Sequence, residues 1–433
     1  MGAGLGGEAR LRAAVRSPRR LHGQLSMPGD KSISHRALML NSVAEGTAHL
    51  DGLSSGADVA STASCLRALG VQIEDDHVVG RGLDGLQEPA RPLDCGNSGT
   101  TMRLLAGLLA SRPFTSTLVG DESLSRRPME RVATPLRLMG SQATTEPLRV
   151  GGGAPLHGIE YESPVASAQV KSALLLAGLA AVGPTRVIEP AQTRDHTERM
   201  LEAMGAPIAR SQLTVTLTGP VSSLRPLDVV VPGDISSAAF WLVAAGLHAE
   251  GKVVLRGVGV NPTRTAVLDV LADCGIGVTR LEPHREGAEP VADLLVGTAS
   301  ERRPVEVGGA RAAELMDELP VLAVAATQLP GRSRITGAAE LRVKESDRIS
   351  AMAIGLSAMG ADVTELPDGW EIRGPRPLEG ARVFSHGDHR VAMALAVAGL
   401  LADGQTEVED AECVGISYPG FWDDVEAVSS QER

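Results

Sequence analysis

The chain has 433 residues, 43% of them apolar and 22% charged, with four cysteines. That is length for two or three domains and composition for real cores, which rules out a disordered chain or a disulfide scaffold. A net charge of −12 and only 2% aromatic residues argue against broad contact with nucleic acid or anionic membranes, and against a base-stacking platform. An anionic ligand has to be gripped locally, against the sign of the whole molecule.

Cys65, Cys95, Cys274 and Cys413 lie far apart, with no CxxC and no Cys/His cluster. Neither a zinc site nor a redox motif is indicated, and a reducing compartment is the default. Residues 1–20 carry five arginines but no apolar run of seven, so a secretory signal is not expected and the chain reads as cytoplasmic. Only Lys31, Lys171, Lys252 and Lys344 are lysines among 41 cationic residues. An ammonium is a compact charge with a tunable pKa, so each of the four is informative in this arginine-rich chain.

Six segments in chain order are apolar nearly all round: 36–46, 101–112, 171–183, 238–251, 318–331 and 389–404. Such a pattern predicts helices buried on every side. None is long enough to cross a bilayer. Strand-like runs follow them, as in TAHLDGL, TRVIEP, KVVLRGV and SRITGA. A second set of helical stretches ends at Gly70, Gly140, Gly205, Gly275 and Gly360, each followed by another strand-like run. Glycine there supplies a left-handed C-cap, so these are helix-to-strand junctions.

The pattern amounts to six copies of about 70 residues. MPGDKSISHRALML (27–40) and VPGDISSAAFWLV (231–243) share PGD followed by a Ser-containing helix start, which divides the copies three and three. The sixth copy runs out near Arg433, and the stretch before Pro28 is expected to supply its missing strands. One domain is then 29–235 and the other 1–28 plus 236–433. The fold class is α/β with helices inside and sheets outside, inverting the usual layering.

The chemistry gathers where the buried helices begin: Lys31, Ser32, His35 and Arg36; Asn97, Ser98, Gly99, Thr100 and Arg103; Ser167, Gln169 and Lys171; Asp234, Ser236 and Ser237; Asp317; Asp388, His389 and Arg390. Ser, Thr, Asn and Asp have an ordinary reading there as N-caps, as Asp195 does in TRDHTERM (193–200). Lys31, Arg36, Arg103 and Arg390 do not, because a cation at a helix N-terminus opposes the macrodipole. It makes sense beside a bound anion, since the terminus already offers unpaired N–H groups. Several such sites predict a cleft for a ligand carrying phosphate and carboxylate. GDESLSRRPMERV (120–132) adds a polar loop with Arg126 and Arg127. In LRVKESDRIS (341–350), Lys344 and Arg348 stand four apart, which predicts a shared helix face, with Glu345 three from Arg348. His196 has no HxxxH partner and reads as a hydrogen-bonding helix residue. No GxGxxG, P-loop or GxSxG is present, and the residues alone stop short of naming the reaction.

PGDKSISHRAL, GNSGTTMRLL, SLSRRPMERV, SAQVKSALLLAGL, RDHTERM, NPTRT, ELRVKESDRI and GDHRVAMALA, in that order over residues 20–425, resemble the 5-enolpyruvylshikimate-3-phosphate synthases. The resemblance implies two inverse α/β domains, each of three βαβαββ units, closing on a central cleft. It implies transfer of the enolpyruvyl group of phosphoenolpyruvate to the 5-hydroxyl of shikimate 3-phosphate with release of phosphate, a step of the shikimate pathway. No organic cofactor or metal, no nucleic acid or membrane partner, and a monomer are implied with it. Lys31, Ser32, Arg36, Ser167, Gln169, Arg194, Asp317 and Lys344 would hold shikimate 3-phosphate. Lys31, Gly99, Arg127, Gln169, Arg348 and Arg390 would hold phosphoenolpyruvate. Asp317 would take the hydroxyl proton, Glu345 would protonate the methylene carbon, and Lys31 would assist the departing phosphate.

Two positions depart from the family pattern: Ile416 stands where a lysine is frequent, and Glu340 where an asparagine is frequent. GDKS, SAQVK, RDHTE and NPTR resemble class II of the family, often insensitive to glyphosate, whereas Gly99 is the roomy residue associated with inhibition. A related reading is UDP-N-acetylglucosamine enolpyruvyl transferase, whose mobile loop usually carries a reactive cysteine; the corresponding loop (111–129) has none. An inactive anion-binding protein on the same scaffold is the third reading.

Overall fold

The predicted buried helices lie at Lys31–Ser42, Gly99–Leu109, Ala168–Gly178, Ile235–Leu247, Leu319–Gln328 and His389–Leu400 in a computed structural model that describes residues 12–153, 155–299 and 301–429. Almost every residue of the six is buried. Five begin on a side-chain cap: the Asp30, Ser98, Ser167, Asp234 and Asp388 oxygens accept from backbone N–H groups of their first turns. Such a cap satisfies donors that have no intrahelical partner. The helix Leu319–Gln328 has no such cap and carries Pro320 in its first turn instead.

The second set of helices is Ala57–Ala68, Glu130–Leu138, His196–Ala203, Ala266–Asp273, Arg348–Ala358 and Phe421–Ser429. The predicted junction glycines follow the first five in the left-handed region, with φ +85° at Gly70 and +88° at Gly360.

Each copy builds one outer sheet of the same plan. In the first copy Glu45–Asp51 pairs antiparallel with His77–Arg81, which pairs antiparallel with Gln72–Glu74. The fourth strand of that sheet, Val229–Val230, comes from the end of the first half and runs parallel to Glu45–Asp51. The fourth copy is completed in the mirror fashion: Leu21–Ser26, from before the first PGD, runs parallel to Gly251–Gly259.

The sixth copy has Arg382–Phe384 parallel to Gln405–Glu409, with Arg12–Arg16 antiparallel on the far side. The N-terminal stretch therefore divides, one strand completing the sixth copy and the other the fourth. Residues 1–11 and 430–433, assigned from the sequence to the second domain, lie outside the described residues.

The apolar core falls into two clusters, one drawn from Ile33 to Val231, the other from Val15–Met27 together with Ile235–Val428. The chain passes between them at the two PGD segments, which lie side by side. The Asp30 N–H donates to Pro232 O at 2.7 Å, and the Asp234 N–H to Pro28 O at 2.9 Å. Arg264 of NPTRT lies buried beneath, its guanidinium 3.2 Å from Asp30 Oδ2, 3.3 Å from Asp234 Oδ1 and 2.7 Å from Ser236 Oγ.

Two local expectations fail. The KESD segment is not helical: a 3₁₀ turn covers Ala339–Val343, and the helix starts only at Arg348, with the Asp347 carboxylate capping Ser350 N. An aspartate able to cap outweighs the i, i+4 spacing of Lys344 and Arg348. Asp195 occupies an N-cap position but caps nothing. Its carboxylate instead takes Arg199 at 2.8 Å, Arg210 at 3.0 Å and Asn261 of NPTRT at 2.8 Å.

Candidate active site

The N-termini of the buried helices from both halves converge on one cleft. Lys31, Ser32, Gly99, Arg127, Ser167, Gln169 and Arg194 line it from the first half, and Asp317, Lys344 and Glu345 from the second. The capping pattern explains the placement: a capped first residue points its side chain out of the helix end, into the space between the halves.

Lys31 opens its helix and its Nζ donates to Asp58 Oδ2 at 2.9 Å. One residue on, Ser32 Oγ accepts from Arg194 at 3.0 Å. Gly99 opens the next helix, and a Cβ on it would stand 2.9 Å from Arg103 Nη1 and 3.3 Å from Arg127 Nη1. Two guanidiniums thus crowd a position that only glycine leaves open. Gln169 joins two helix starts, accepting from Arg103 and donating to Thr100 Oγ1 at 2.9 Å. Ser167 caps its own helix at Val170 N, 3.4 Å.

In the second half, Arg348 is buried between carboxylates. Its Nε donates to Asp388 Oδ2 at 2.8 Å and its Nη2 to Glu345 Oε2 at 2.6 Å, while Nη1 stands 3.6 Å from Asp317 Oδ1. Ion pairs cross the cleft at Arg194–Asp317, at Arg127–Glu345 (3.4 Å) and at Arg131–Glu340, the last a fork of 3.0 and 3.2 Å.

Electrostatics follow from this crowding. Burial pushes the Asp317 carboxyl up, but Arg194, Arg390, Lys344 and Arg348 outweigh it and hold the group well below the ordinary carboxylate range. Burial likewise raises Glu345, and Arg348, Arg127, His389 and Lys31 together hold it well below. Burial lowers Lys344, against the opposing pull of Asp317 and Glu345. His389 is pushed well down by burial and then by Lys31, so it is neutral at pH 7.

Three expected residues do not line the cavity. Arg36 lies under Ser32, with its guanidinium on Thr197 Oγ1 (2.7 Å), Ser172 Oγ (2.8 Å) and the Ser32 carbonyl (2.9 Å), and burial draws its pKa down to about 10. Arg348 and Arg390 lie behind the cavity wall, both buried. Yet Arg348 Nη1, Arg390 Nε and Nη1, and Arg127 Nε find no acceptor within the protein.

Sequence reasoning assigned no role to Asp58, Arg103, Arg131, Asp388 or His389. Arg103 and His389 carried a signal, being polar at the start of an apolar helix. Asp58 carried none.

A family model described as EPSP synthase (3-phosphoshikimate 1-carboxyvinyltransferase) matches residues 15–425. A 3-phosphoshikimate 1-carboxyvinyltransferase of Bacillus cereus (strain G9842) is 50% identical over 420 residues, covering 94% of this chain and 97% of that one. One of Desulforudis audaxviator (strain MP104C) is 52% identical over 414 residues, covering 93% and 96%. The structure of EPSP synthase from Acinetobacter baumannii superposes with a TM-score of 0.85 at 42% identity, covering 97% of this chain and 98% of that one. With that extent of match in sequence and in fold, the chain belongs to the EPSP synthase family.

Proposed function

We propose that this chain transfers the enolpyruvyl group of phosphoenolpyruvate to the 5-hydroxyl of shikimate 3-phosphate, releasing phosphate. The observation that carries the reading is the set of buried guanidinium N–H groups on Arg127, Arg348 and Arg390 without an acceptor. A buried donor left unpaired costs about 1–3 kcal/mol, more when charged. Phosphate and carboxylate oxygens are the acceptors that would satisfy such donors, and fork-shaped guanidiniums take them two at a time.

Phosphoenolpyruvate is assigned to Lys31, Gly99, Arg127, Gln169, Arg348 and Arg390. Shikimate 3-phosphate is assigned to Lys31, Ser32, Ser167, Gln169, Arg194, Asp317 and Lys344. Arg36 contributes from beneath, by fixing the Ser32 backbone. As the 5-hydroxyl oxygen attacks C2 of phosphoenolpyruvate, its proton passes to Asp317 and Glu345 delivers a proton to C3. The tetrahedral adduct then breaks its bond from C2 to the phosphate oxygen. Phosphate leaves with the electron pair beside Lys31, and one methyl proton returns to a base, restoring the double bond.

In the substrate-free protein Glu345 is too acidic to be a donor. Substrate anions on Arg348, Arg127 and Lys31 offset the charges that hold it down, so the acid forms only when both sites fill.

Residues 29–235 and 1–28 plus 236–433 act as two bodies that close on the substrates, which orients them and excludes water. The separate apolar clusters and the narrow paired crossings at PGD support this. The chain works as a cytoplasmic monomer without a cofactor; among the described residues no helix is long and apolar enough to cross a membrane.

The test is ¹³C NMR of labelled phosphoenolpyruvate mixed with shikimate 3-phosphate and enzyme. An enol ether resonance on the shikimate oxygen supports the assignment, and unchanged phosphoenolpyruvate refutes it.

A further inference from the structure

The first-half outer sheet carries a cluster that the reaction does not use. His49 and His77 are direct partners in the antiparallel pairing of Glu45–Asp51 with His77–Arg81. Their rings meet edge to face with centroids 5.1 Å apart. Asp76, at the end of the tight turn that brings the chain into the second strand, lies between them. His49 Nε2 stands 2.5 Å from one carboxylate oxygen and His77 Nδ1 2.6 Å from the other. The two histidines are far apart in sequence, so no spacing motif announces the trio; the strand register makes it.

We propose that His49, Asp76 and His77 form a surface site for a divalent transition metal ion, of which zinc is the representative. The three candidate ligand atoms all lie within 4.8 Å of one another. Ligands of a tetrahedral zinc ion, bound at about 2.0–2.2 Å, stand roughly 3.4 Å apart. The trio has to draw in by on the order of 1 Å, which side chains 43–54% exposed can do by rotation. Two imidazoles and one carboxylate select zinc, nickel or copper over magnesium or calcium, which prefer all-oxygen shells. Water completes the coordination.

The surroundings favour a cation. Glu74, Asp75 and Asp51 flank the strand ends, and the Asp228 carboxylate accepts from the His49 backbone N–H at 2.8 Å. That last bond fixes the strand carrying one ligand, close to where Val229–Val230 closes the same sheet. A metal ion here clips two strands of the first copy together, away from the cleft, so it acts on stability rather than on turnover.

The experiment is calorimetric titration of the full-length chain with zinc chloride at pH 7.5, repeated on His49→Gln and His77→Gln. Cobalt(II) absorption reads the ligand geometry, and thermal melts with and without zinc read the clip. One zinc per chain is expected, with a higher melting temperature in its presence. Loss of even an outer partner of a metal site costs about 10–100-fold in affinity, so each substitution is expected to weaken binding at least tenfold. Both variants keep wild-type enolpyruvyl transfer, which separates this site from the reaction. No zinc binding up to millimolar concentration, or an isotherm that either substitution leaves unchanged, overturns the proposal.

Discussion

Arg194 of the first half and Asp317 of the second are joined across the cleft by an ion pair, their side chains only 25% and 22% exposed. The pair links a cation assigned to shikimate 3-phosphate with the carboxylate assigned as base, so substrate and base compete for one guanidinium. Asp317→Ala is therefore expected to separate the two roles. Turnover falls about 10²–10⁴-fold with loss of a general base. Affinity for shikimate 3-phosphate is retained or improves, because Arg194 loses its internal partner. Single-turnover kinetics and calorimetry on the variant check this, and a parallel loss of affinity and rate contradicts it.

Glu345 gives a prediction in pH. Its carboxyl sits well below the ordinary value in the free protein, held there against burial by Arg348, Arg127, His389 and Lys31. A depressed carboxyl is ionised at neutral pH, and partial neutralisation of those cations by a bound anion raises it. Phosphoenolpyruvate binding in the presence of shikimate 3-phosphate should take up protons, increasingly as pH falls from 7 towards 5. Calorimetry at pH 6 in two buffers of different ionisation enthalpy measures the uptake. Glu345→Gln is expected to take up fewer protons than wild type, and equal uptake refutes the coupling.

Gly99→Ala places a methyl 2.9 Å from Arg103 Nη1 and 3.3 Å from Arg127 Nη1. Both contacts are ends of flexible side chains, so the fold tolerates the change but the guanidiniums move. The KM for phosphoenolpyruvate is expected to rise about tenfold, ~1.4 kcal/mol, with a smaller change in kcat. Inhibition by glyphosate competing with phosphoenolpyruvate should weaken in step. An unchanged KM would mean that Arg127 does not hold this substrate.

Lys171 tests the scaffold behind the site. Its ammonium is fully enclosed, 2.8 Å from Glu189 and 2.7 Å from Glu198, and so ties the SAQVK helix to the RDHTE helix that follows Arg194. Lys171→Ala leaves two carboxylates buried together and should cost about 3–5 kcal/mol in urea unfolding. Lys252→Ala, at an exposed position, should stay within about 0.5 kcal/mol.

The layering and the repeat were legible because they rest on patterns that tertiary context does not override. Helices apolar all round have nowhere to lie but inside, and Gly70 or Gly360 past a helix has one conformational purpose. The failures share a cause: competition between polar groups that spacing cannot rank. Asp347 captured the helix start that KESDR spacing predicted further back, and that break brings Lys344 and Glu345 to the cleft. Asp195 had better partners than its own helix. Glu340, a departure from the family pattern, finds its explanation in Arg131 on the opposite wall. Ile416 packs against the second core while its carbonyl lies against Gly56 of the first half. Asp58 was invisible because one aspartate within a helix has no pattern until the fold sets Lys31 beside it.

The most direct test of the account is phosphate release from phosphoenolpyruvate, measured with shikimate 3-phosphate in one reaction and UDP-N-acetylglucosamine in another. Steady release with shikimate 3-phosphate alone is the predicted result. Release only with the nucleotide sugar, or none with either, would contradict it.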